Sequence, residues 1–171
     1  MSLPIDPEEL TREDIGERSV TLNMGHDEAV EHVRQTFEEA GFGIPVEFSP
    51  SELLREKIDV DRDPYYVLGA CNPRMADRAL DVTKNIGGLF PCNVIVWEEE
   101  PGYQQVYHVS IMKIGRLVAM APDNEEWEEI VDETSGMVEE AFSNLETEGS
   151  GGEKPRGQQG GKQEGTGGSP R

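Results

Sequence analysis

The stretch YYVLGACNPRMADRAL, Tyr65–Leu80, decides the fold class. Its first seven residues are nearly all apolar or aromatic, the pattern of a central strand covered on both faces. Asn72-Pro73 then closes the strand and opens a helix. An asparagine side chain accepts from the first free amides, and proline suits the first helical position because its missing N–H needs no partner there. Met75, Ala76, Ala79 and Leu80 recur at helical spacing and predict the core side of that helix.

Downstream, NIGG ends the helix and LFPCNVIVWEEE, Leu89–Glu100, reads as a strand. Pro101-Gly102 is a turn, and YQQVYHVSIM, residues 103–112, is the returning strand of a hairpin. The last and longest helix spans residues 121–146, with Asp123 and Glu126 as its capping box and Gly136 as its weakest point.

Upstream, Val20, Leu22 and Met24 alternate as in a half-buried strand. A helix follows, with Asp27 as N-cap, Val30, Val33, Phe37 and Ala40 on its apolar stripe, and Gly41 as its stop. GIPVEF, residues 43–48, is a strand that Pro45 confines to a sheet edge, since proline cannot donate to a ladder. SPSELLREKI predicts a short helix capped by Ser49 with Glu52, docked through Leu53, Leu54 and Ile58. The order β-α-β-α-β-α-β-β-α predicts an α+β fold: a mostly antiparallel sheet with helices packed on one face. Residues 1–16 read as a loose lead-in, 17–148 as one domain, and 149–171 as a disordered Gly-rich tail.

Charge narrows the function classes. The 171 residues carry 35 acidic and 15 basic side chains, a net −20. From Gly149 onward there are two acidic and four basic residues, so the remainder holds −22. That excess repels phosphate backbones and argues against nucleic-acid binding. Acid spread through every segment, with only Lys57, Lys84 and Lys113 as lysines before Gly149, predicts a protein of a salty cytoplasm, a halophile's. No signal peptide and no membrane-spanning run is present, so a cytoplasmic protein without membrane partners is expected.

The only cysteines stand in two Cys-Asn pairs, Cys71-Asn72 and Cys92-Asn93. In a cytoplasmic chain both are expected as thiols. Cys71 ends a strand one residue before a helix N-cap, where free amides favour a thiolate; it is the candidate reactive group. Cys92 follows Pro91 and is expected to be the more buried. If the two strands are neighbours, the sulfurs can meet as a reversible disulfide, or as a metal site with His108 as third ligand. The plainer alternative is packing: cysteine is a small hydrophobe, Asn72 a cap, Asn93 a partner for backbone groups and His108 a satisfied strand residue. His26 reads as a loop residue and His32 as solvated. Asp59, Asp61 and Asp63 lack the glycine and distal glutamate of a calcium loop. No phosphate-cradling or nucleophile-elbow motif occurs. No cofactor and no metal is expected from these patterns.

The segments GFGIPVEF, LLREKI, YYVLGACNPRMADRAL, IGGLFPCNVIVWEE and VYHVSIM resemble, in order and spacing, the family named domain of unknown function 302 (DUF302). The resemblance implies a compact α+β domain and association as a homodimer; it brings no reaction. The stretch SIMKIGRLVAM departs from the family pattern after the hairpin. Two functions stay open. One is a homodimeric module that binds a small ligand or a partner. The other is a thiol-dependent redox or metal-binding protein that uses Cys71 and Cys92.

Overall fold

In a computed structural model that describes residues 6 and 8–149, the chain runs β1 (Arg18–Asn23), α1 (His26–Glu39), β2 (Gly43–Phe48), α2 (Pro50–Ile58), β3 (Tyr65–Cys71), α3 (Pro73–Val82), a 3-10 helix (Lys84–Leu89), β4 (Cys92–Glu100), β5 (Tyr103–His108), α4 (Ile111–Leu117) and α5 (Glu125–Gly149). The Gly-rich segment lies outside the described residues from position 150 onward. One five-stranded sheet has the order β1-β5-β4-β3-β2, and every pair is antiparallel. The α+β class and the element order follow the sequence expectation apart from one added helix, α4, and the 3-10 turn.

Local chemistry explains most boundaries. Asn72 Oδ1 accepts from the Met75 amide at 3.0 Å and starts α3, while its Nδ2 donates to the Gly41 carbonyl at 2.8 Å. Ser49 Oγ accepts from the Glu52 amide and starts α2. Pro45 sits in the edge strand β2, where the register slips between Gly43 and Val46. Gly41 ends α1 with φ +95°, a conformation that only glycine adopts cheaply.

Several expectations are corrected. β5 stops at His108, and the residues read as its continuation form α4, because Ser110 Oγ accepts from the Lys113 amide as an N-cap. Ile111, Met112 and Gly115 then bury one side of that helix. β4 starts at Cys92 rather than Leu89, since Thr83 caps the 3-10 helix through Leu89. The cap of α1 is Gly25, not Asp27, and Asp27 lies in the first turn. At α5 the Trp127 amide donates to Asn124 Oδ1, so Asn124 replaces Asp123 as the capping side chain. Gly136 does not interrupt α5. Leu53, Ile58 and Leu80 are exposed instead of docked, and His32 is half-buried instead of solvated.

Two apolar cores lie on the helical side of the sheet. The first packs Leu22, Leu68, Val94, Val96 and Val106 of the strands against α1 and the C-terminal half of α5. The second gathers Ala79, Ile86, Ile111, Met112, Trp127, Ile130 and Val131 from α3, the 3-10 helix, α4 and the N-terminal half of α5. Arg78 holds α3 to α5 through Glu129 and Glu133. Near the N-terminus the Ser110 amide donates to the Ile15 carbonyl at 2.8 Å, and Gly16 lies so close that a Cβ there would stand 2.7 Å from Ser110 Cβ.

β3 is not covered on both faces as its apolar run predicts. Leu68 and Ala70 are fully buried under the helices. Tyr65 and Val67, on the other face, stay half-exposed.

Candidate functional site

The sheet places Cys92 and His108 on its helical face. Antiparallel register pairs Val94 with His108, and Cys92, two residues from Val94, shares their side of the pleat. Cys92 pairs with Ala70, which leaves Cys71 one residue beyond on β3. The strands that carry the two cysteines, β3 and β4, are therefore neighbours. Both cysteines are free thiols.

Two small adjoining cavities open where the two apolar cores meet, each with about 20 Å³ of space. Cys92, His108, Met112, Thr134, Arg18 and Lys113 are among the residues around the first. Cys71, Asn72, Met75, Cys92 and Met112 are among those around the second, with Phe42 common to both. Asn72, Cys71, Cys92 and His108 are thus brought to one region. Asn93 contributes its main chain only: its side chain is exposed.

His108 is 2% exposed. Its Nδ1 donates to the Asn93 carbonyl at 2.9 Å, which leaves the neutral ring with a lone pair on Nε2. Burial holds the imidazole pKa below its ordinary value, against the partial compensation of that hydrogen bond. Burial also raises both thiols. Cys92 keeps some surface on the cavities, yet it is embedded deeply enough to be pushed up to about 12, with the nearby Cys71 adding to the rise. Cys71 rises as well, so the helix N-terminus beside it does not produce the low-pKa thiol expected from the sequence. At neutral pH the region holds two protonated thiols and a neutral imidazole.

Cations stand at the rim. Arg18 Nε pairs with Glu139 at 2.6 Å, and Lys113 Nζ donates to the Glu13 carbonyl at 3.0 Å. Thr134 spends its hydroxyl hydrogen within α5, on the Ile130 and Val131 carbonyls. Met75, Met112 and Phe42 carry no motif that would have placed them here. Met112 was hidden further by its reading as strand.

A second surface is the other face of the sheet. Tyr65 and Trp97 stack with centroids 6.1 Å apart, and Tyr107 follows at 6.3 Å from Trp97. With Ile95 they line a shallow depression of about 240 Å³. Val46 is 55% and Phe48 46% exposed along the same face. Its carboxylates, Glu17, Glu99 and Glu100, stand at its ends; Tyr107 donates to Glu17, and Trp97 Nε1 to Glu99. A third hollow, of about 350 Å³, lies between α1 and α2 and mixes Arg55 and Arg62 with Asp27, Glu52 and Asp61.

Among the described residues no helix is long and apolar enough to cross a membrane. The family model for the domain of unknown function DUF302 matches residues 18–145. The crystal structure of an uncharacterized conserved DUF302 protein from Bacillus stearothermophilus is similar, with a TM-score of 0.64 and 22% identity over 75% of this chain and 97% of that one. At that identity the likeness concerns the fold. No curated protein matches the chain.

Proposed function

The chain belongs to the DUF302 family, and from that premise we propose that it is a self-associating binding module. Two copies meet through the aromatic face of the sheet, and each offers the chamber between Cys92 and His108 to a small ligand. The observation that carries the self-association is the contrast between that face and the rest of the molecule. A chain of net −20 repels its own copy, so association favours the surface with fewest charges. The Tyr65–Trp97–Tyr107 row and its neighbours Val46, Val67, Phe48 and Ile95 form such a surface, with carboxylates confined to its ends. Aromatic side chains supply large contact area at small entropic cost, as interface centres require. The protonated thiols and neutral imidazole of the chamber favour binding over acid–base turnover.

Sedimentation velocity on the full chain tests the association. Wild type is expected at twice the monomer mass, and Trp97→Glu at the monomer mass with an unchanged circular dichroism spectrum. A monomeric wild type at micromolar concentration, in both dilute and molar salt, overturns the proposal.

A further inference from the structure

Among the described residues eight large hydrophobic side chains stand exposed, and five of them, Val46, Phe48, Leu53, Ile58 and Val60, fall in β2, α2 and the residues just after it. Single apolar residues are normal on a surface, whereas a group of them on adjoining elements marks a contact region.

α2 lacks support within its own copy. It has nine residues, and none of them is buried. Helices shorter than about 12 residues are marginal in water and take most of their stability from packing an amphipathic face. Ser49 caps the helix, and Ser51 Oγ accepts from the Tyr65 amide at 3.1 Å, so the first turn is tied to β3. Beyond that turn Leu53 is 46% and Ile58 62% exposed.

The charges of α2 are equally uncommitted. Arg34 of α1, Arg78 of α3 and Arg116 of α4 each hold a glutamate. Arg55 and Lys57 of α2 pair with no carboxylate among the described residues. A second copy of a chain of net −20 presents the carboxylates that these cations lack.

α2 is also continuous with the aromatic face. Phe48 stands one residue before the helix cap and pairs in register with Val67. Tyr65 is hydrogen bonded through its main chain to both Ser49 and Ser51. The face alone is small: five strands give it two or three outward positions each, and a standard interface takes about 20–30 residues a side.

We infer that α2 is part of the contact between two copies. Leu53, Ile58 and Val60 pack on the second copy, and Arg55 and Lys57 pair with carboxylates there. The inference rests on the self-association proposed above and sets how far that interface reaches.

The test is hydrogen exchange read by mass spectrometry on the full chain, with sedimentation of the same samples. In the wild-type dimer the amides of residues 53–60 are expected to exchange about tenfold more slowly than in monomeric Trp97→Glu, which leaves α2 itself unaltered. Ile58→Glu and Leu53→Glu change side chains that are exposed in the single copy, so an unchanged circular dichroism spectrum is expected. Each is expected to weaken the dimer about tenfold, and Ile58→Leu to hold it. Equal exchange of residues 53–60 in the dimer and in Trp97→Glu overturns the inference, as do glutamate variants that dimerise as wild type does; the dimer then stands without α2. A Trp97→Glu variant that still dimerises, and that Ile58→Glu breaks, removes the aromatic face and keeps α2. A monomeric wild type overturns both readings.

Discussion

His108 donates its Nδ1 hydrogen to the main-chain carbonyl of Asn93 across the β4–β5 ladder, at 2.9 Å. That one bond selects the tautomer and turns Nε2 into the ring's free acceptor. It also ties the second Cys-Asn pair to the histidine through the backbone, not through the asparagine side chain.

Burial lowers the His108 pKa from 6.5, so the folded chain prefers the neutral ring. The unfolded chain then binds the extra proton first as pH falls. Stability from this group is fully present above about 6.5 and is lost as pH drops through that value toward the folded pKa. Urea unfolding between pH 7.5 and about 5.5 is expected to show this decline, and His108→Phe to flatten it. An equal decline in the variant would assign the effect to other groups.

The thiols are expected to resist alkylation. With a pKa of about 12, Cys92 at pH 8 is thiolate in roughly one molecule in ten thousand. Maleimide labelling of the native protein is predicted to reach Cys71 first, more slowly than a free thiol, and Cys92 only in denaturant. Mass spectrometry after timed labelling reads both. Fast native labelling of Cys92 would contradict the burial described.

Gly69 is a packing position. A Cβ there would stand 2.6 Å from Pro91 Cγ and 2.9 Å from the Val46 carbonyl oxygen. Gly69→Ala is predicted to cost about 1–3 kcal/mol, the usual range for overpacking, because a backbone oxygen and a proline ring cannot both give way. Gly136→Ala is the control: nothing lies within 4 Å of that Cβ, and it removes a glycine from a helix interior. It is expected to stabilise by up to about 1 kcal/mol in chemical denaturation.

The net charge of −20 predicts a rise in melting temperature from dilute buffer to molar salt. Screening shortens from about 10 Å at 0.1 M to about 3 Å at 1 M and relieves carboxylate repulsion. The same series in a non-ionic osmolyte separates charge screening from general stabilisation. An unchanged melting temperature in salt would leave the acidic composition without this role.

Much of the fold is legible in the sequence because its causes are local. Asn72-Pro73, Ser49 with Glu52, and Gly41 each act within one helical turn, and each ends or begins an element as its chemistry requires. Pro45 declares an edge strand by what it cannot donate. The misread stretch after His108 is instructive. Ser110 is a good cap, but Val106 and His108 alternate so well that the strand pattern runs on past it, and only the docking of Ile111 and Met112 against α5 and the 3-10 helix decides for α4.

By itself the sequence determined the order of the strands and of the long helices, the antiparallel hairpin and the starts of α2 and α3, since periodicity and capping depend on neighbours a few residues away. Tertiary structure alone decided which apolar faces are covered. Val67, Ile95 and Trp97 alternate as core residues do, and nothing in their spacing distinguishes a face under a helix from a bare one. It alone also assembled the chamber. Cys92, His108 and Met112 meet through strand register and the packing of a helix from the second core, and neither is written in the spacing of three residues along the chain.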